Sequence, residues 1–312
     1  MRYSILLFFF LLTGAALSQY KEIHIPTRID NPDKKYLKAD FYTWDSSFPK
    51  PVIFVQTPYN RLFYRYFRLH QLSAGSLNFF FDTLNYNYVI MDWRGFYGNK
   101  DQDSAQWDRG LDGYDAVEWI ASQKWCDGKV GTYGGSALGQ IQFMTAKHQP
   151  PHLVCAAPMI KDFRTDYNEF YHGGVLRREH TESREKLGFY PLSLITEHPV
   201  KDFFWDYLEN LNSYADKFNV PMLLISGWFD HFPGAVLRAF NDIRTKSAEA
   251  VQNSHKIMMG PWTHGEVDNS KQGILTYPGA DSIAIEMVRD FFDYYMLGAK
   301  NGYPLEPFVR YY

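Results

Sequence analysis

Cysteine is scarce in this chain: Cys126 and Cys155 are the only two among 312 residues. That excludes a disulfide framework, so the core has to hold itself together by burial. Each cysteine borders or lies in an expected strand, Cys126 before "KVGTY" and Cys155 inside "LVCAAP", and a buried free thiol is the expected state of both. Neither stands in a histidine-rich context that would suggest a metal site or a thiol nucleophile. An excess of charge is missing as well. Formal net charge is -3, with basic and acidic residues spread along the chain, which leaves no electrostatic footprint for nucleic acid or an anionic membrane surface.

Long hydrophobic runs are also lacking. The leading "MRYSILLFFFLLTGAALSQ" joins a single arginine to an apolar run of about 13 residues, whereas a membrane span needs about 20. Small residues follow at Ala16 and Ser18, spaced as at a signal-peptidase site. The expectation is cleavage after Ser18 and export, with no stable membrane insertion afterwards.

What is present suits one large α/β domain with an insertion: 46% of the residues are hydrophobic and 21% charged. Short β-rich runs recur with helical stretches between them: "PVIFVQT" (51–57), "YVIMD" (88–92), "KVGTY" (129–133), "LVCAAP" (153–158), "PMLLIS" (221–226) and "KIMMGP" (256–261). Such near-continuous apolar runs are the mark of parallel strands covered by helices on both faces. "DGYDAVEWIASQ" and "AIEMVRDFFDYYML" carry helical spacing. Upstream, "YKEIHIPTRI" and "YLKADFYTW" alternate, and read as an antiparallel edge pair joined by an Asn31-Pro32-Asp33 turn. Residues 159–217 are aromatic-rich and helical in pattern with no evident strand, which predicts an inserted helical cap. The expected organisation is a leader over 1–18, a core in two parts over 19–158 and 218–312, and the cap between them.

One short string gives this scaffold a candidate chemistry. In "KVGTYGGSALGQIQF" a strand runs into Gly134 and Gly135, then Ser136, then a helix from about Ala137. A serine on a sharp strand-to-helix turn is lifted clear of the sheet, and its neighbours must be small because strand and helix backbones converge there. The generic pattern puts a glycine two residues after the serine, whereas here Gly139 comes three after. A serine hydroxyl needs a base, normally histidine, itself oriented by a carboxylate. In open α/β sheets these sit at the carboxyl ends of later strands, in the chain order Ser, acid, His. Asp230 after "PMLLIS" and His264 after "KIMMGP" meet that order and edge. Taken alone, Asp230 reads equally well as a loop cap and His264 as a surface histidine. Among the rivals, His255 precedes its strand, His172, His180 and His198 belong to the cap, and His231 is too close to Asp230 in sequence for that carboxylate to orient it.

The strings "VQTPYNR", "MDWRG", "DGYDAVEWIASQKWCDGKVGTYGGSALG", "SGWFD" and "GPWTHG", in this order and spacing, resemble the cocaine esterase and X-Pro dipeptidyl-peptidase-like family of serine hydrolases. The resemblance covers nearly all of the chain after the leader and implies an α/β-hydrolase fold, a mostly parallel sheet covered by helices. The family's nucleophile motif has its glycine three after the serine, which accounts for Gly139. The position after the serine is usually tyrosine in the family and is Ala137 here, where the backbone N–H is what an oxyanion hole uses. The resemblance also implies a second oxyanion donor, the Tyr59 hydroxyl, from a loop after "PVIFVQT" at the same edge. Asp92 and Arg94 in "MDWRG" read as an ion pair or loop brace.

Two departures from the family bear on function. Relatives carry a C-terminal β-sandwich, of which "PFVRYY" resembles only the first strand, so that domain is expected to be absent or truncated. Relatives selective for α-amino acid esters carry acids two and three positions beyond the triad aspartate; Phe232 and Pro233 stand there in this chain. Burying an ammonium without a carboxylate is costly, which points toward apolar acyl groups, although Asp166 or Glu169 in the cap offers an alternative charge. The expected activity is ester hydrolysis of a small-molecule substrate through Ser136, His264 and Asp230, with no metal or cofactor. X-Pro dipeptidyl-peptidase or acylase action is the second reading, and a binding protein that keeps the fold without turnover is the rival of another class.

Overall fold

The computed structural model describes residues 19–29, 33, 35–45, 47–69, 79–102 and 108–312. The expected leader over 1–18 and the Asn31-Pro32 part of the first turn lie outside the described residues. The sheet has nine strands in the order β1-β2-β4-β3-β5-β6-β9-β10-β13. The first two, β1 (Gln19–Pro26) and β2 (Tyr36–Thr43), are antiparallel to each other, and β2 is antiparallel to β4 (Asn87–Asp92). From β4 onward the pairings are parallel, through β3 (Lys50–Thr57), β5 (Cys126–Gly135), β6 (Leu153–Met159), β9 (Leu223–Gly227) and β10 (Lys256–Gly260).

Period-two alternation sends neighbouring side chains to opposite faces, and both faces are covered. Val52 and Phe54 of β3, Leu224 of β9 and Ile257 of β10 enter one apolar cluster. There they meet Val117 and Ile120 of α2 (Arg109–Ala121), Phe143 of α3 (Ala137–Ala146) and Val236 and Phe240 of α8 (Pro233–Lys246). Ile53 and Val55, Leu223 and Ile225, and Met258 enter the other cluster, against Tyr64 of α1 (Leu62–Leu69) and Met287 and Phe291 of α10 (Ile283–Phe292). No residue of β4 is exposed. Cys126 and Cys155 are free and buried within these clusters, and burial pushes the Cys126 thiol up to about 11.

Between β6 and β9 the chain leaves the sheet and returns. It forms α4 (Tyr167–Phe170), α5 (Arg178–Lys186), α6 (Leu192–Thr196) and α7 (Phe203–Leu211), packed on a separate small cluster of Phe170, Tyr171, Ile195 and Trp205. Contrary to the strand-free expectation, this segment holds a hairpin, β7 (Tyr171–His172) and β8 (Val175–Leu176), turned by Gly173 and Gly174 at positive φ. Two residues per strand are too few to leave an alternating pattern. A second such hairpin, β11 (Lys271–Gln272) and β12 (Leu275–Thr276), follows β10.

In the "PFVRYY" stretch, β13 (Val309–Tyr311) pairs as an edge strand of the main sheet, parallel to β10. The Ile257 N–H donates to the Phe308 carbonyl at 2.9 Å and the Tyr312 N–H to Met259 at 3.0 Å, while the Arg244 guanidinium lies 3.9 Å from the Phe308 ring centre. Asp92 and Arg94 brace loops, each in an ion pair of its own. Asp92 accepts from the backbone N–H and Nη1 of Arg61 at 2.7 and 2.8 Å. Arg94 makes a two-pronged pair with Asp112 of α2 at 2.9 and 2.7 Å, both side chains being almost wholly buried.

Breaking a buried charged pair leaves the surviving ion without compensation. Arg94→Ala is therefore expected to lower stability by about 3–5 kcal/mol in urea unfolding. A loss under about 1 kcal/mol would show that the pair behaves like a solvated surface bridge.

Candidate active site

The end of β5 is forced into an unusual turn. Ser136 has φ 58° and ψ -124°, a conformation few non-glycine residues hold, and its N–H donates to the Met159 carbonyl of β6 at 2.9 Å. The turn leaves no room around it. Gly134 has φ 138°, and a Cβ there would lie 2.6 Å from Leu138 Cβ; one on Gly139 would lie 2.6 Å from the Met159 carbonyl oxygen. Gly135, the last residue of β5, pairs with Met159. The buried amide of Gln142, one turn into α3, ties the elbow together. Its Nε2 donates to the carbonyls of Gly134, Leu138 and Ala157 at 3.0, 2.9 and 3.3 Å.

The loops after β9 and β10 are laced to each other. Trp228 N–H donates to the Gly260 carbonyl at 2.9 Å and Phe229 N–H to Trp262 at 3.1 Å. Gln272 Oε1 accepts from the backbone N–H and hydroxyl of Thr263 at 2.9 and 3.0 Å. Next to these bonds Asp230 Oδ1 lies 2.6 Å from His264 Nδ1, and His264 Nε2 lies 3.0 Å from Ser136 Oγ. The Asp230 side chain has no exposed surface and that of His264 is 28% exposed. A carboxylate accepts only, so His264 donates through Nδ1 and leaves Nε2 to accept the serine proton. Asp230 Oδ1 also accepts from the His231 backbone N–H at 2.5 Å.

At the same edge, Tyr59 follows β3 and packs against the cluster of Trp93, Ala137 and Ile141. Its loop is pinned by two bonds, Tyr59 N–H to Thr57 Oγ1 at 3.0 Å and the Arg61 N–H to Asp92. The Tyr59 hydroxyl has no hydrogen-bond partner among the described residues. Ala137, buried, opens α3 with its N–H in the first turn, where backbone donors have no partner within the helix.

The rival histidines of the sequence reading have surroundings of their own. His255 is fully buried between the Met222 N–H at 3.2 Å and Ser247 Oγ at 3.0 Å, and burial lowers its pKa to about 4. His198 meets Asp202 at 2.7 Å and His180 meets Glu169 at 3.4 Å, while His172 lies exposed on the β7–β8 hairpin. The His231 ring, 5.1 Å from that of His264, takes its bond from Arg177 at 3.3 Å; burial, then the neighbouring His264, lowers its pKa. Phe232 is buried with its ring 5.8 Å from that of His264, and Pro233 begins α8.

The two cap acids are already committed. Glu169 meets Lys161, His180 and Arg184; burial raises its pKa, but Lys161 and then the His180 and Arg184 contacts outweigh it and hold it at about 2. Asp166 accepts from Arg238 at 3.1 Å, and burial followed by nearby Asp162 raises its pKa. Sequence reading missed Arg61, Gln142 and Arg177. The "TPYNR" string contains the first, but its partner Asp92 is remote in sequence, and a lone glutamine or a cap arginine carries no motif. No group of three or more His, Cys, Asp and Glu disposed to hold a metal ion occurs among the described residues.

The family model for X-Pro dipeptidyl-peptidase (S15 family) matches residues 33–191 and 186–266. Among curated proteins, the cocaine esterase of Rhodococcus sp. (strain MB1 Bresler) is 26% identical over 88% of this chain and 55% of its own length. A solved α-amino acid ester hydrolase superposes with a TM-score of 0.72 at 21% identity, covering 95% of this chain and 57% of that one. An aminopeptidase from a marine sediment archaeon, Thaumarchaeota archaeon, gives 0.71 at 20% identity over 95% and 57%. The chain thus spans a little over half the length of these relatives, and the structural likenesses establish the α/β-hydrolase fold.

Proposed function

The chain belongs to the X-Pro dipeptidyl-peptidase (S15) family, and from that premise we propose that it is a serine hydrolase of small esters that lack a free α-ammonium group. The observation that carries this reading is the unbroken line from Asp230 through His264 to Ser136, at 2.6 and 3.0 Å. Ser136 Oγ attacks the ester carbonyl as His264 Nε2 takes its proton. Asp230 stabilises the imidazolium that forms and keeps the ring in the right tautomer. The proton passes to the leaving alcohol, and water then repeats the cycle on the acyl-enzyme. The N–H of Ala137 and the hydroxyl of Tyr59 receive the negative oxygen of each tetrahedral intermediate.

The choice of ester rests on what surrounds the line. Phe232 and Pro233 stand where the family resemblance implies acids in relatives selective for amino acid esters, and the nearby carboxylates of Glu169 and Asp166 already face cations. A dipeptidyl-peptidase has to hold the free amino end of its substrate. That leaves the amide reading without a free counter-ion at Glu169 or Asp166, although the family and the aminopeptidase likeness keep it as the second reading.

Hydrolysis of a neutral aryl ester tests the proposal. Ser136→Ala is expected to reduce kcat on the order of 10⁶, and Asp230→Asn by about 10⁴ with folding retained, since the amide favours the wrong imidazole tautomer. Near-full activity in the asparagine variant would move the orienting acid elsewhere, and activity surviving in the alanine variant would remove the serine mechanism. Tyr59→Phe keeps the ring and removes only the donor. Because that bond strengthens as charge develops, kcat is expected to fall by roughly 10² to 10³ with KM little changed. A variant that keeps kcat and only raises KM would make Tyr59 a pocket wall.

A further inference from the structure

Arg177 lies between β8 and α5, with its backbone fixed by a bond from its N–H to the Phe170 carbonyl at 2.7 Å. Its side chain reaches toward the site described above. Nη1 donates to the Glu169 backbone carbonyl at 3.0 Å, and Nη2 to His231 Nδ1 at 3.3 Å. Both acceptors are neutral groups. Guanidinium carries five N–H donors in a planar fork suited to a carboxylate, and no carboxylate meets Arg177 among the described residues.

The surroundings make that vacancy specific. Two cavities, of about 110 and 360 Å³, flank this arginine, and Arg177 and His231 line both. In the smaller, every carboxylate already has a cation: Asp162 and Glu169 share Lys161, and Asp166 meets Arg238. Arg164, also in its wall, pairs with Asp242. The larger is lined by Arg178, which pairs with Glu182, and by the exposed Glu179. Of the five Lys and Arg side chains in the two walls, Lys161, Arg164, Arg178 and Arg238 each meet a carboxylate, and Arg177 meets none among the described residues. It stands one imidazole away from His264, through the 5.1 Å contact of His231.

We propose that Arg177, backed by His231, is a specificity-determining residue that receives a carboxylate carried by the ester substrate. The inference rests on the hydrolase reading above and narrows its substrate class to esters bearing a remote anionic group. A charge-assisted, two-pronged bond of this kind in a partly desolvated wall is strong enough to separate an anionic ester from its neutral isostere by about ten-fold to a hundred-fold in kcat/KM. The carboxylate can arrive on the acyl chain or on the leaving alcohol, and the two are separable.

The test compares matched pairs in the wild-type chain. For the acyl side the pair is 4-nitrophenyl hydrogen glutarate against 4-nitrophenyl pentanoate, and for the alcohol side 4-carboxyphenyl pentanoate against 4-carbamoylphenyl pentanoate. One anionic member is expected to be preferred by about ten-fold or more, mainly through KM, and the preferred pair identifies the side. Arg177→Gln is expected to abolish the preference, Arg177→Lys to keep part of it, and added salt to weaken it in the wild type. No preference in either pair, or a preference that survives Arg177→Gln, overturns the proposal. If the glutamine variant does not fold, a wild-type preference insensitive to salt and unchanged in Arg177→Lys overturns it equally. Turnover of the neutral pentanoate that disappears in Ser136→Ala keeps the hydrolase reading standing in any of these cases, whereas absence of that turnover sinks the hydrolase reading itself.

Discussion

Everything in the candidate site depends on one buried carboxylate. Asp230 has no exposed side-chain surface, and a lone ion in that position would be strongly disfavoured. It is tolerated because one oxygen accepts from both the His264 ring at 2.6 Å and the His231 backbone at 2.5 Å. The same bonds that satisfy the carboxylate aim the imidazole at Ser136, so stability and orientation have a common origin. The loops that carry Asp230 and His264 have little freedom to part, being stitched to each other through Trp228, Phe229 and the strand ends beneath them.

The serine side is held in a different way. There the backbone itself is strained, and the strain persists because the surroundings leave no alternative. The Met159 carbonyl accepts from the Ser136 N–H, the Gln142 amide donates to three carbonyls, and two glycines permit the close passage of strand and helix. The Tyr59 loop completes the edge. Its anchor is Arg61, buried among Asp40, Asp92 and Glu22, so a charged network on one side of the sheet sets the position of a neutral hydroxyl on its rim.

Much of this was legible in the chain, for reasons that differ by element. The parallel strands announce themselves as continuous apolar runs because both of their faces are covered. The convergence of Ser136, Asp230 and His264 follows from chain order and from the rule that later strands deliver their loops to one edge. The hairpins β7–β8 and β11–β12 escape because two residues have no periodicity. The β13 strand adds an edge to the main sheet that "VRY" does not announce, because it is short and its side chains are exposed or half-buried. Asp92 and Arg94 each brace a loop through a partner remote in sequence, Arg61 and Asp112, which the "MDWRG" string cannot name. Arg177 was invisible for the opposite reason: its significance lies in a missing partner, which only the three-dimensional charge arrangement reveals.

The central claim is that Ser136 is the nucleophile which this arrangement activates. It is tested most directly by treating the folded chain with a fluorophosphonate and locating the covalent adduct by peptide mass spectrometry. The account predicts a single phosphonylated site at Ser136, in the peptide that spans the β5–α3 turn. An unmodified Ser136, or an adduct on any other residue, would contradict it.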